Sequence, residues 1–289
     1  MYDTIIIGMG PSGMSAALYA KRSGLNVLCL EKNVPGGQVN NAKTINNYLG
    51  YENINGAELA YKMFMHVKDE NIEYKIEEVT KITKENNVFT IETNKNKYTS
   101  KTVIISTGRQ PKKTKEEIET NITFNKCAIC DAPLYKGKDV LVLGNSENAF
   151  EEACFLNETS NVTLLSTEKI DSELINKYNS KLNIIDNEKI LDIKNEDNKY
   201  IVKTTNKELI VDGIFSFMGY ERETKYLENL NILESNGLIN ANGTETIVPG
   251  LFASGDILKK DLYQIVTAVS EGAISAIKAK QYITKESEW

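Results

Sequence analysis

Gly8-Met9-Gly10-Pro11-Ser12-Gly13 constrains this chain more than any other feature, because it sets a GxGxxG turn between two strongly patterned runs. Residues 4–8 are apolar and β-branched and read as a buried parallel strand. Residues 13–23 follow with Met14, Ala17 and Leu18 at helical spacing, and residues 26–30 read as a second buried strand that ends at Glu31. Strand, turn, helix and strand make one βαβ unit. In such a unit the glycines permit a tight turn and let backbone approach a pyrophosphate seated on the helix N-terminus. Gly8, Gly10, Pro11, Ser12 and Gly13 are therefore candidate dinucleotide contacts. Glu31 would accept hydrogen bonds from a ribose, and its charge favours an unphosphorylated one.

The pattern then recurs. A polar, hairpin-rich segment (73–101) leads to a third apolar strand at 102–106, which closes on Thr107-Gly108. Pro111 and the basic stretch 112–115 read as a crossing. Beyond it, residues 139–143 form a strand ending at Gly144, residues 149–156 a helix, and residues 161–165 another strand. Near Gly243 the character changes again, to a short strand at 251–253, the turn Ser254-Gly255-Asp256, and a long helix over 265–283. A length of 289 residues suits two medium-sized domains. The expected fold is α/β, with two Rossmann-like, three-layer ββα dinucleotide-binding domains, the second inserted in the first. Residues 1–111 and 241–289 would form the outer domain and 112–240 the inserted one.

A formal charge of −6 argues against nucleic acid as a bulk partner, which needs a basic face. No window approaches the roughly 18 apolar residues of a membrane span. The opening MYDTIIIGMG has neither a basic leader nor a cleavage pattern, so the cytoplasm is the expected compartment. Of the four cysteines only Cys127 and Cys130 are close, as CxxC. That spacing means redox or metal chemistry. Zinc would need two further ligands. Cys29 and Cys154 lie in apolar patterns and read as small core residues, and His66 has no partner at ligand spacing, so no metal site is expected. Two thiols at this spacing can close a disulfide, and a helix starting there would lower the first thiol's pKa.

Pro35-Gly36-Gly37-Gln38, Thr107-Gly108 and Gly255-Asp256, in this order, resemble the FAD domain of the two-dinucleotide-binding-domain flavoproteins. With Cys127-Ala128-Ile129-Cys130-Asp131 just inside the insert, the full length resembles the low-molecular-weight thioredoxin reductases. The resemblance implies FAD, held also by Asn47 and by Tyr263 and Gln264, which stand where the family has an Arg-Gln pair. It implies that Cys130 faces the flavin, that Cys127 exchanges with thioredoxin, and that Asp131 moves the proton of the flavin-side thiol. The plainer reading of Asp131 is a helix N-cap, and the two roles can coexist. The family is homodimeric.

The insert departs from the NADPH-using members. Its loop reads Gly144-Asn145-Ser146-Glu147-Asn148-Ala149, so Ser146 replaces the glycine that admits a pyrophosphate, and Glu147 adds a negative charge. Where a His-Arg-Arg cluster should hold the 2′-phosphate, the chain has Ser166-Thr167-Glu168. Losing two charge-assisted contacts of roughly 1.5–3 kcal/mol each would weaken NADPH by about two to four powers of ten. Gly219-Tyr220-Glu221-Arg222 departs as well, from a turn that usually carries proline and asparagine. The departures resemble the ferredoxin-dependent flavin thioredoxin reductases. A drop from about −400 mV at a ferredoxin to about −270 mV at a thioredoxin releases roughly 6 kcal/mol for two electrons. The other readings are a nicotinamide-dependent disulfide reductase with unusual contacts and a flavin-bound redox sensor without turnover. An acidic ferredoxin would dock on basic residues, with Lys112, Lys113, Lys115, Lys259 and Lys260 as candidates. Trp289 reads as a frayed tail or as a ring folded over a flavin or partner subunit.

Overall fold

The computed structural model describes residues 1–286, which divide into two compact units: Met1–Gln110 joined by the chain from Arg222 onward, and Pro111–Glu221. In the first unit, strand Tyr2–Ile7 lies between Val27–Glu31 and Lys97–Ile105, all parallel, with Glu73–Ile76 outside one and Leu251–Ala253 outside the other. Successive residues of a strand point to opposite faces. Ile5 and Ile7 accordingly enter one core cluster and Ile6 another, which is why the run is apolar without alternation. Helices Pro11–Arg22 and Ile265–Glu286 cover the Ile6 face through Met14, Ala17, Ala276 and Ala279. The antiparallel meander of Val79–Glu85, Val88–Thr93 and Lys97–Ile105 covers the other through Ile82, Phe89 and Ile91. Helix, parallel sheet and meander are the three expected layers.

The second unit repeats the plan. Asp139–Leu143 lies between Asn161–Leu165 and Gly213–Ser216, with Asn183–Ile185 outside. Helix Glu147–Asn157 packs on one face, and the meander Ile190–Glu196, Lys199–Thr204, Glu208–Val211 on the other. Even a buried glutamate recurs at the corner of each meander. Glu77 accepts hydrogen bonds from Thr93, Asn96 and Tyr98, and Glu188 from Thr204 and the Asn206 N–H. Burial alone would raise the Glu77 carboxyl, but these donors outweigh it and hold it below the usual range.

The chain re-enters the first unit at Arg222, not near residue 241. The reason is packing: Tyr226, Leu227 and Ile232 complete the core around Ile5 and Ile105, and Asn229 donates to the Ile82 carbonyl at 2.8 Å. Residues 222–240 are polar enough in sequence to hide this. Among the described residues no helix is long and apolar enough to cross a membrane. Trp289 lies outside the described residues.

Candidate functional site

Ile7 sits opposite both Leu30 and Ile105, and Ala253 opposite Ile105, so four parallel strands end level. The segments singled out in sequence follow those C-terminal ends: Gly8–Gly13, Glu31, Thr107-Gly108 and Gly255-Asp256. This edge is where open α/β sheets bind ligands. Gly8 has φ +95°, and a Cβ there would lie 2.5 Å from the Ser106 carbonyl oxygen. A Cβ on Gly13 would lie 1.8 Å from the Gly8 carbonyl oxygen, so this glycine lets helix and turn touch. Gly10 differs, since a Cβ there meets nothing within 4 Å. Gly10 is also the N-cap of helix Pro11–Arg22, which has no side-chain cap and no acid in its first turn. The orphan N–H groups and the positive end of the helix dipole are left for an anion.

The Glu31 carboxylate is fixed in place, accepting from the Met9 N–H at 2.7 Å and the Asn33 N–H at 3.0 Å. The Pro35–Gln38 loop lies against the turn: Gly36 N–H donates to the Met9 carbonyl at 2.7 Å, and a Cβ on Gly37 would come 3.4 Å from Gly10 Cα. Buried hydroxyls tie two strand ends to the start of the first helix, with Ser12 donating to Ser254 at 2.7 Å and Ser106 2.9 Å from the same oxygen.

Farther along the edge, the Gln38 side-chain amide donates to the Arg109 carbonyl, and Asn47 donates to Gln264 Oε1 at 3.1 Å. The Arg109 guanidinium carbon stands 3.6 Å from the Tyr263 ring centre, and its Nε is 3.6 Å from Asp256 Oδ2. Burial pushes the Asp256 carboxyl up, while Arg109 and Lys260 pull it back. Lys260 pairs with Glu271, which in turn accepts the Gly255 N–H at 2.8 Å. Its side chain is only 9% exposed, so Lys260 belongs to this cluster and not to an open docking surface. Sequence spacing passed over Arg109, Glu271 and Tyr226. Tyr226, whose hydroxyl is 3.1 Å from Thr107 Oγ1, comes from the segment first assigned to the insert. Only Arg109, next to Thr107-Gly108, stood beside a recognisable motif.

In the second unit, Cys127 and Cys130 form a disulfide with Cα atoms 5.3 Å apart. Cys127 is the N-cap of the short helix Ala128–Asp131, whose fully buried Ala128 anchors it in the core. The Cys130 N–H points at Cys127 Sγ from 3.2 Å. An N–H aimed at a sulfur favours its thiolate. Asp131 ends this helix and stands at the N-cap position of the 3-10 turn Ala132–Tyr135, while Cys127 is the residue whose side chain caps the helix before it. Cys29 is fully buried and its thiol is pushed up to about 12 by burial. Burial also raises the partly covered Cys154, with Lys181 opposing. Neither is a ready thiolate.

The insert's own glycine turn contrasts with the first. Ser146 accepts from the Ala149 N–H at 3.4 Å and so caps its helix internally. Gly144 serves packing, because a Cβ there would lie 2.5 Å from that of Ala149. Glu147 in the first turn pairs with Lys177 at 2.6 Å, which offsets part of its charge. Asn145 reaches across to Glu168 Oε2 at 3.2 Å, joining the two strand ends where phosphates would need donors.

The family model described as pyridine nucleotide-disulphide oxidoreductase matches residues 2–272. The thioredoxin reductase of Bacillus subtilis is 34% identical over 305 aligned residues, spanning 100% of this chain and 96% of that protein. Among solved structures, the thioredoxin reductase from Streptococcus pyogenes superposes with a TM-score of 0.90 at 34% identity, covering 99% of each chain. A ferredoxin-flavin thioredoxin reductase from Clostridium acetobutylicum gives 0.57 at 30% identity, covering 98% of each.

Proposed function

Since the chain belongs to the pyridine nucleotide-disulphide oxidoreductase family, among its low-molecular-weight thioredoxin reductases, we propose that it is an FAD-dependent reductase of thioredoxin disulfides that takes electrons from reduced ferredoxin. The observation that carries the choice of donor is the contrast between the two helix N-termini. The one at Gly10 has no side-chain cap, and a Cβ on Gly10 would meet nothing within 4 Å, whereas the one at Ser146 is capped by its own side chain and follows Asn145, whose side chain is bonded to Glu168.

FAD fits the first unit. Gly10 and Gly108 border open space, and Asp256 is a partly buried carboxylate at a strand end suited to sugar hydroxyls. In this reading Gly8, Gly10, Pro11, Ser12 and Gly13 take the pyrophosphate and Glu31 the ribose. Gly36, Gly37, Gln38, Asn47, Thr107, Gly108, Tyr263 and Gln264 bound the remainder. When bound, FAD supplies a store that takes electrons singly or in pairs, which suits a one-electron donor. The chain's own chemistry is dithiol exchange. Two electrons and two protons open the Cys127–Cys130 disulfide into two thiols. The Cys127 thiolate attacks a thioredoxin disulfide, breaking its S–S bond and forming a mixed disulfide. Cys130 then attacks Cys127 Sγ, restoring the internal disulfide and releasing thioredoxin with both sulfurs reduced. Asp131 holds or removes the Cys130 proton. Asp131→Asn should slow turnover by about 10²- to 10³-fold and shift the alkaline limb of the pH–rate profile; an unchanged profile would remove Asp131 from that role.

Anaerobic titration tests the donor. Reduced ferredoxin should bleach the flavin within the turnover time, and equimolar NADPH or NADH should leave it yellow. Rapid bleaching by either nicotinamide would transfer the function to the nicotinamide-dependent reductases. The insert carries the whole formal charge of −6 and the first unit is neutral, so the field of the insert as a whole disfavours an acidic ferredoxin, and of the candidate lysines Lys259 on the first unit is better placed than Lys112, Lys113 and Lys115. The proposal extends to a homodimer in the cytoplasm, which sedimentation and fractionation test directly.

A further inference from the structure

The Arg109–Tyr263 contact has no role in dithiol exchange, yet the fold holds it firmly. Arg109 follows the strand Lys97–Ile105 by four residues, and Tyr263 precedes the helix Ile265–Glu286 by two. Their side chains meet as a cation–π stack at 3.6 Å. The Arg109 side chain is 13% exposed, with the Asp256 carboxylate on its Nε side and its carbonyl clasped by Gln38. A second cation, Lys260, stands 5.7 Å from the same ring. Two elements far apart in sequence are thus locked by one guanidinium at the edge where sheet strands end.

We infer that Arg109 is a positioning residue for the flavin: it holds the Tyr263 ring in place and fixes one positive charge beside the ring-binding end of the site. The inference rests on the FAD reading above and adds to it a residue that sets affinity and redox poise. A fixed cation favours the more negative, reduced form of a bound redox group. Removing it lowers the reduction potential, which makes the cofactor harder to reduce and a stronger donor to the Cys127–Cys130 pair. One partly screened unit charge at such a site corresponds to about a tenfold change in that equilibrium, which for a two-electron couple is about 30 mV.

The test measures flavin midpoint potential and FAD dissociation constant on the full-length protein, with dye-coupled anaerobic titration and apoprotein reconstitution. Arg109→Gln should lower the potential by the equivalent of about tenfold and weaken FAD binding by a similar factor. Arg109→Lys should restore most of the potential while leaving binding weakened, because a lysine supplies the charge without the planar stack. Tyr263→Phe, which keeps the ring that Arg109 stacks on, should retain more FAD affinity than Tyr263→Leu, which removes it. If R109Q cannot hold FAD, R109K and Y263L decide by the same two measurements. An R109Q protein, or failing that a Y263L protein, that binds FAD with parental affinity and potential overturns the inference, even if its thermal stability falls. Parent protein that takes up no FAD overturns the proposed function itself, which keeps the two failures apart.

Discussion

Cys130→Ser should trap thioredoxin, one molecule per chain, as a mixed disulfide that persists without reductant, whereas Cys127→Ser should trap none. Both variants should lose at least about 10³-fold in turnover while their flavin is still reduced by the donor. The asymmetry follows from the local geometry. Cys127 caps the short helix and receives the Cys130 N–H at 3.2 Å, so Cys127 is the sulfur whose thiolate is favoured once the disulfide opens. With Cys130 replaced, Cys127 can attack but nothing resolves the product. Non-reducing gels and intact mass of the 1:1 adduct read the outcome. Trapping by C127S in place of C130S would exchange the two roles. Trapping by neither would move the exchange chemistry away from this pair.

The second large effect separates packing from binding at the glycine turn. Gly13→Ala places a methyl 1.8 Å from the Gly8 carbonyl oxygen, a backbone atom that cannot rotate aside. The first helix must shift off its turn and off Ile265–Glu286, where Gly272 already brings the backbones close: a Cβ on Gly272 would lie 2.1 Å from the Ser12 carbonyl oxygen. A destabilisation of about 3–5 kcal/mol and loss of FAD are expected. Gly10→Ala meets no protein atom within 4 Å. Its apoprotein should unfold within about 1 kcal/mol of the parent, while FAD weakens by about 10- to 100-fold as the methyl fills the pyrophosphate cradle. Denaturant melts of apoprotein with FAD titrations check both. Parental FAD affinity in G10A would mean that the open end of this helix is not the pyrophosphate site.

Features coded by short-range spacing were readable from residues alone. The GxGxxG turn, the acid ending the second strand, the CxxC and the altered loop at Gly144–Ala149 each lie within a few residues. In these segments local pattern dictates local backbone. The two-unit plan was readable for the same reason, since a βαβ pattern announces itself twice. Other features arose from packing between segments far apart in the chain. Residues 222–240 look like a continuation of the insert, yet Tyr226, Leu227 and Ile232 fill the first core because that is where apolar surface remained uncovered. Lys260 looks like a solvated lysine, yet the fold turns it inward onto Glu271 and Asp256.

Likewise, Tyr263 looks like a simple departure from a family pair. Only in three dimensions does it meet Arg109, from 154 positions earlier in the chain, and join a cluster of charge at the edge where the sheet strands end. Periodicity and motif spacing report on neighbours within a turn or a strand, and so they located the glycine turn and the sulfur pair. The electrostatic surroundings come from which strand ends lie side by side, and that is set by the burial of Ile5, Ile105 and Ala253 in one shared core.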